Sequence, residues 1–283
     1  MASPASTGLL LSLIVPAFNV AEFIEGNLRT MLAELDALPG ALEILVVCDG
    51  CTDQTAAAAA RCDDPRVRVL SYPENRGKGY AICFGIAQAH GRLVGWLDAD
   101  LDISPRVIAS AVGRLGASEL DAVIGSKRHP DSQVHYPRVR RVLSSGFQVL
   151  VRILFRISVR DTQVGAKVFR GEVLTTVVPL LLIKQYAFDV EVLAVAAEFG
   201  FDRIEEAAIH LDYRFTGSGI TTDSVRRMFI DTLAIAYRIH VRHWYVRQFA
   251  ALERARTDAA AKAQGGSPTA TSDSWSDILA DPR

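Results

Sequence analysis

The feature that most constrains this chain is the alternation in its first half, where short apolar runs give way to a polar cluster and then to a helix-patterned segment, several times over. Residues 9–16, 43–48, 67–71, 92–97 and 122–126 read as strands, and 21–38, 52–61, 79–89 and 105–115 read as the helices between them. Thr52 or Asp53 suits an N-cap, and Pro105 suits a first helical turn. Repeated strand–helix units of this kind stack into a doubly wound α/β fold with a mostly parallel sheet. Ligands of such sheets sit beyond the carboxyl ends of the strands, so the residues just after each strand matter most. They are Pro16-Ala17-Phe18-Asn19, Asp49-Gly50, the 74–79 segment Glu-Asn-Arg-Gly-Lys-Gly, and Asp98-Ala99-Asp100-Leu101-Asp102. Four strand exits converge on one rim.

At 283 residues and 49% hydrophobic content the chain can bury a sizeable core, as one large domain or one domain with appendages. Its 31 Lys and Arg against 32 Asp and Glu give no global argument for nucleic acid as a partner. Cys48, Cys51, Cys62 and Cys83 are too few and too unevenly spaced for a disulfide scaffold, and Cys48-x-x-Cys51 lacks the second pair that a zinc site requires. The apolar segment 9–15 has no basic region before it, and the apolar run 174–183 is short and contains Pro179, so no membrane span or signal peptide is expected and the cytosol is the default compartment.

The character changes after Ser126. Residues 127–160 hold eight Lys or Arg against the single acid Asp131. Within that stretch 142–157 reads as an apolar helix carrying Arg152 and Arg156; a helix over 189–199, stopped by Gly200, and a strand over 204–211 follow. From Asp223 one long amphipathic helix is expected past Ala250, with Phe229, Ile230, Leu233, Tyr237, Val241, Trp244 and Tyr245 as its apolar positions. Residues 263–283 have the composition of a disordered tail. The expected division is a domain over 1–215, a helical extension over 216–262 and the tail.

Two carboxylates at i and i+2 just after a strand, as at Asp98 and Asp100, can share one hard cation, with a bound diphosphate completing the shell. A polar strand end with solvated acids is the competing explanation for that pair alone. Gly77-Lys78-Gly79 before a helix reads on its own as an ordinary turn, and otherwise as a place where small residues let backbone and an ammonium approach a phosphate. Neither G-x-x-x-x-G-K-[ST] nor a G-x-G-x-x-G after the first strand is present, which argues against nucleotide hydrolases and dinucleotide enzymes.

Taken together, these motifs resemble the family-two glycosyltransferases of GT-A fold over residues 1–215, nearest to the dolichyl-phosphate or polyprenyl-phosphate glucosyl- and mannosyltransferase branch. Pro16-Ala17-Phe18-Asn19, the 46–55 segment around Asp49-Gly50, Asn75 to Gly79 and Asp98-Ala99-Asp100 carry the general resemblance. Gly125-Ser126-Lys127, Arg140-Arg141 to Ser144, Asp161-Thr162-Gln163 with Gly165 and Lys167, and Phe188-Asp189-Val190-Glu191 narrow it to the branch. Val20, Cys48, Cys51 and Lys127 depart from the family's usual Glu, Asp, Ser and Arg, though Arg128 adjoins the last. The resemblance implies that Pro16, Ala17, Asn19, Asp49, Lys78, Asp98, Asp161 and Gln163 bind the nucleotide sugar. It further implies that Asp98 and Asp100, with Asp102 as a third candidate, hold Mg²⁺ or Mn²⁺. Lys127, Arg128, Arg140, Arg141 and Ser144 would bind an acceptor phosphate, and Asp98, Asp100 and Arg140 would be the catalytic set.

The expected activity is inverting transfer of a hexose from a nucleotide sugar, UDP-glucose before GDP-mannose, to a polyprenyl or dolichyl phosphate on the cytoplasmic face of a membrane. A phosphomonoester is already largely ionised near neutral pH, with a second pKa of about 6, and needs no general base. Guanidinium forks suit its capture. The helices over 142–157 and after Asp223 are candidates for lying on an anionic membrane surface; core or dimer packing is the competing reading. Two other functions stay open at this point: transfer to a soluble or polymeric hydroxyl acceptor, and nucleotide-sugar binding without turnover.

Overall fold

The computed structural model describes residues 8–134, 138–183, 187–211 and 222–265. Its centre is a sheet built from β1 (Leu9–Ala17), β2 (Ala41–Asp49), β3 (Val67–Tyr72), β4 (Leu93–Leu97), β5 (Ala122–Ser126), β7 (Ala166–Arg170) and β8 (Ile204–Ala208). The order across it is β3-β2-β1-β4-β7-β5-β8. β1 pairs in parallel with β2 and β4, β2 with β3, and β5 with β8. β7 runs antiparallel between β4 and β5. A short ribbon of β6 (Gln133–Val134) and β9 (His210–Leu211) lies apart from the main sheet.

The inner strands are continuous apolar runs because both faces of the sheet are covered. Alternate residues therefore enter two separate cores. Leu13, Val15, Ile44 and Val46 join a core with α1 (Ile24–Leu35), α2 (Thr55–Ala60) and α4 (Arg106–Ala117). Ile14, Leu45, Val47 and Trp96 join the other, with α3 (Lys78–Ile86), α6 (Gly171–Val177) and α7 (Phe188–Glu198). Each fully buried Leu, Ile, Val or Phe in these layers is worth roughly 1.5–3 kcal/mol relative to exposure. α5 (Arg138–Phe155) precedes β7, and α8 (Thr222–His240) and α9 (Trp244–Gly265) close the described chain. No described helix is long and apolar enough to cross a membrane.

The expected α/β architecture is what forms, with differences in its second half. β7 was not anticipated: it is a five-residue strand with the cationic Lys167 at its second position. The long helix expected from Asp223 is two helices, broken at 241–243 where His243 adopts a positive φ of 46°. The strand expected over 204–211 is split into β8 and β9. α9 reaches Gly265, so the expected tail boundary at Ala263 falls inside a helix; residues 266–283 lie outside the described residues.

Candidate active site

The carboxyl ends of β1, β2, β3 and β4 meet at one rim, and side-chain hydrogen bonds bind their exits together. After β1 the chain turns through Asn19, whose φ of 51° is a left-handed conformation that Asn tolerates better than most residues. Asn19 Oδ1 accepts from Thr52 N at 2.9 Å, Thr55 Oγ1 accepts from Val20 N at 2.8 Å, and Asp53 Oδ2 accepts from Ala21 N at 3.2 Å. The Cys51 thiol donates to the Ala17 carbonyl at 3.4 Å, and burial pushes the neighbouring Cys48 thiol up to about 12. Both cysteines thus belong to the join between the first two exits. Pro16 and Ala17 end β1 beside it.

Asp49 faces the third exit. Its Oδ1 accepts from Arg76 N at 2.7 Å and Tyr72 OH at 2.9 Å, and its Oδ2 accepts from Gly77 N at 2.9 Å. Gly50, at a φ of 60°, stands so close that an added Cβ would lie 2.2 Å from Asn75 N. Asp49, expected at the nucleotide, is buried and clamps the 74–77 loop, which in turn presents Lys78 at the first turn of α3.

Lys78 forms an ion pair with Asp98 Oδ1. Burial works against the lysine's charge, but Asp98, Asp189 and Asp100 outweigh it and raise its pKa. Asp98 follows β4 and is backed by Gly165: a Cβ there would lie 1.8 Å from Asp98 Oδ2. Leu101, with a φ of 56°, reverses the chain so that Asp102 N donates to Asp100 Oδ1 at 3.1 Å. Asp100 opens to the rim, yet desolvation by its surroundings and then the Asp98 charge push its pKa up. Two carboxylates held together against their own repulsion, with oxygen donors facing an open cleft, fit a hard divalent cation. No three His, Cys, Asp or Glu side chains among the described residues gather into a preformed cage, so Asp98, Asp100 and Asp102 do not suffice without ligands from elsewhere, such as a diphosphate.

Behind Asp98 lies a buried charge pair that sequence reasoning did not assign. Lys167 Nζ donates to Asp189 Oδ1 at 2.6 Å and to the Val164 carbonyl at 2.5 Å, and sits 5.6 Å from the centre of the Trp96 ring. Burial lowers the Lys167 pKa against the pull of Asp189. A cation interrupting an apolar strand was the available signal, and the antiparallel β7 was needed to see that it points inward.

Of Lys127, Arg128, Arg140, Arg141 and Ser144, expected at the acceptor phosphate, Lys127 stands beside Asp161, which with Gln163 was expected at the nucleotide sugar. Asp161, which is buried, takes Lys127 N on Oδ2 at 3.2 Å and Gln163 N on Oδ1 at 3.4 Å, joining the end of β5 to the strand-entry loop of β7. Thr162 and Gln148 exchange hydrogen bonds at 3.3 Å, which ties the same loop to α5. Gln163 Nε2 donates to Met228 Sδ of α8 at 3.0 Å. Lys127 and Arg128 are half-buried here. Arg140, Arg141 and Ser144 fall in the first half of α5, and their side chains lie outside the described residues.

The sequence profile of Glycosyl transferase family 2 matches residues 12–177, a span that runs from β1 to the end of α6 and takes in the whole rim. The chain belongs to glycosyl transferase family 2. Among relatives, this family-2 chain is 29% identical over 257 residues to the dolichyl-phosphate beta-glucosyltransferase of Dictyostelium discoideum, covering 84% of this chain and 77% of that protein. It is 32% identical over 204 residues to the glycosyltransferase AglD of Haloferax volcanii, covering 71% of this chain and 33% of that longer protein. The Drosophila melanogaster dolichyl-phosphate beta-glucosyltransferase is 32% identical, and the chain spans 64% of its length. The fold is shared with glucosyl-3-phosphoglycerate synthase of Mycobacterium tuberculosis, solved with Mn²⁺, UDP-glucose and phosphoglyceric acid, at a TM-score of 0.62 and 21% identity over 82% of this chain and 80% of that one. Mannosyl-3-phosphoglycerate synthase of Rubrobacter xylanophilus gives a TM-score of 0.65 at 22% identity, over 83% of this chain and 76% of that one. These likenesses establish the GT-A fold expected from the motifs.

Proposed function

We propose that this chain transfers a hexose from a nucleotide sugar, with UDP-glucose the favoured donor, to a polyprenyl or dolichyl phosphate. The observation that carries the reading is the match along 84% of the chain to a dolichyl-phosphate beta-glucosyltransferase, a longer stretch than the family-2 span of 12–177. The rim supplies parts suited to the task. The joined exits of β1 and β2 cradle the nucleotide, and Lys78 approaches its diphosphate from the first turn of α3. Asp98 and Asp100 would hold a divalent cation, Mg²⁺ or Mn²⁺, that as a Lewis acid neutralises charge on the departing nucleoside diphosphate.

The acceptor phosphate is an anion that must be aligned rather than deprotonated, so the protein's work is positioning. Lys127, Arg128, Arg140 and Arg141, from the basic 127–160 segment, orient it for attack at C1 from the face opposite the nucleotide, through an oxocarbenium-like transition state with inversion. Exposed apolar side chains on α5 and α8, together with arginines on α8 and α9, suit a peripheral position on the anionic membrane that carries such an acceptor.

The test is turnover with polyprenyl phosphate, nucleotide sugar and Mn²⁺ in wild type and Asp100→Asn. The variant removes one negative charge from the cation site, and transfer is expected to fall at least about a hundredfold with the fold intact. Turnover near wild type in Asp100→Asn would sink the cation assignment. Arg140→Ala combined with Arg141→Ala is expected to raise the acceptor KM and spare nucleotide binding.

A further inference from the structure

The first turn of α7 carries two acids whose side chains lead to different parts of the molecule. Asp189 receives the buried Lys167, which sits behind Asp98 and Lys78. Glu191, fully buried at 0% exposure, faces the other way. Its Oε2 accepts from Leu182 N at 3.1 Å and Ile183 N at 2.7 Å, and its Oε1 accepts from Tyr245 OH at 2.6 Å. Arg238 Nη1, a buried atom with no hydrogen-bond partner among the described residues, lies 3.8 Å from the same Oε1.

Tyr245 opens α9 and Arg238 is in the last turn of α8, so one carboxylate binds both C-terminal helices. α8 touches the rim a second time through Met228 and Gln163. Both helices lie beyond the span that matches family 2. A carboxyl group without solvent, its pKa raised by burial against the pull of its donors, is a poor device for holding helices if stability alone is at stake, because apolar side chains of similar volume do that at lower desolvation cost. What a fully hydrogen-bonded carboxyl group adds is a single register, since any slip leaves it unsatisfied.

We propose that Glu191 is a positioning residue: it fixes the register of α8 and α9 against the α7 turn that bears Asp189, and so makes α8 a wall of the transfer site rather than an appendage to it. That α8 faces the acceptor rests on the function proposed above. The link from Glu191 to the rim runs through one rigid helical turn to Asp189, whose charge acts on both Lys167 and Lys78, and separately through Met228 to Gln163.

The experiment follows backbone hydrogen exchange across 225–240 in the full chain, with and without UDP and Mn²⁺, for wild type, Glu191→Gln and Tyr245→Phe. Tyr245→Phe keeps the ring in place and removes one donor, so it reports even if Glu191→Gln folds poorly. The expected result is slower exchange in α8 of the wild type on adding UDP and Mn²⁺, with this response lost in the variants. Nucleotide affinity should stay within about twofold of wild type while the acceptor KM rises about tenfold. The proposal is overturned if α8 of the wild type exchanges at the same rate with and without UDP and Mn²⁺. It is equally overturned if the variants lower only the thermal midpoint and leave the response and the KM unchanged. Failure of the wild type to use any lipid phosphate would instead strike the proposed function, leaving the exchange result to decide this one.

Discussion

Gly165 has no room for a side chain, because the Asp98 carboxylate occupies the place a Cβ would take. Gly165→Ala must therefore displace the Asp98 carboxylate, and a displacement near 1 Å at a reacting centre costs about a hundredfold in rate. The expected outcome is transfer reduced by about that factor with the circular dichroism spectrum unchanged; wild-type turnover would refute the tight fit. Gly113, inside α4 with nothing within 4 Å of its Cβ position, is the matched control. Gly113→Ala should keep full activity and add roughly 0.5–1 kcal/mol of stability in denaturant unfolding, since Ala loses less backbone entropy in a helix. Asp49→Asn would set an amide NH₂ against one of three donors, the Arg76 and Gly77 N–H groups and the Tyr72 hydroxyl. It should cost about 1–3 kcal/mol in denaturant unfolding and loosen the loop that presents Lys78. The motif residues were legible in the sequence because strand exits announce themselves by polarity. Their division of labour was not: whether Asp49 faces a ligand or a loop depends on where residues 74–77 return in space.

The parallel strands could be read directly, since strands buried on both faces show as unbroken aliphatic runs. β7 escaped because an antiparallel insertion between β4 and β5 needs no crossover helix to announce it, and because Lys167 breaks its apolar pattern. The break between α8 and α9 has no proline or glycine to mark it, and the apolar spacing runs on through Val241 and Trp244. At the end of the sheet opposite the rim, Ser12 and Glu43 are register partners on β1 and β2. Glu43 accepts from Ser12 Oγ at 2.6 Å, His90 N at 3.0 Å and Arg68 Nη1 at 3.0 Å. Burial opposes the charge of Glu43, but these donors outweigh it and hold its pKa below the usual glutamate value. A depressed acid contributes stability that is present above its unfolded pKa and is lost as pH falls through the folded one. The thermal midpoint of the wild type should therefore drop as pH is lowered below about 5, and Glu43→Gln should start lower and flatten that limb. An equally steep acid limb in the variant would show that the destabilisation arises elsewhere.

Across the whole molecule, α8 is apolar on two sides. Ile235 and Ile239 face the core, while Ile230, Leu233 and Tyr237 are exposed, as are Val241 just after the helix and Ile153 of α5, the latter at 73%. A helix with two apolar sides is ordinarily covered on both. With Arg226, Arg227 and Arg242 on or just after the same helix, the proposed function makes an anionic bilayer the expected cover, whereas a second copy would set like charges against each other. The chain should co-sediment with vesicles containing phosphatidylserine or another anionic lipid, less so in high salt, and Leu233→Asp with Tyr237→Asp should release it. A stable dimer that ignores vesicles would favour self-association instead.

The central claim, that this rim moves a sugar onto a lipid phosphate, is met most directly by incubating the chain with labelled UDP-glucose, polyprenyl phosphate and Mn²⁺ and counting label in the organic phase. The expected result is organic-phase label that requires both the lipid phosphate and the cation and disappears in Asp100→Asn. Label passing only into water-soluble acceptors, with none extracted whatever prenyl phosphate is supplied, would contradict it.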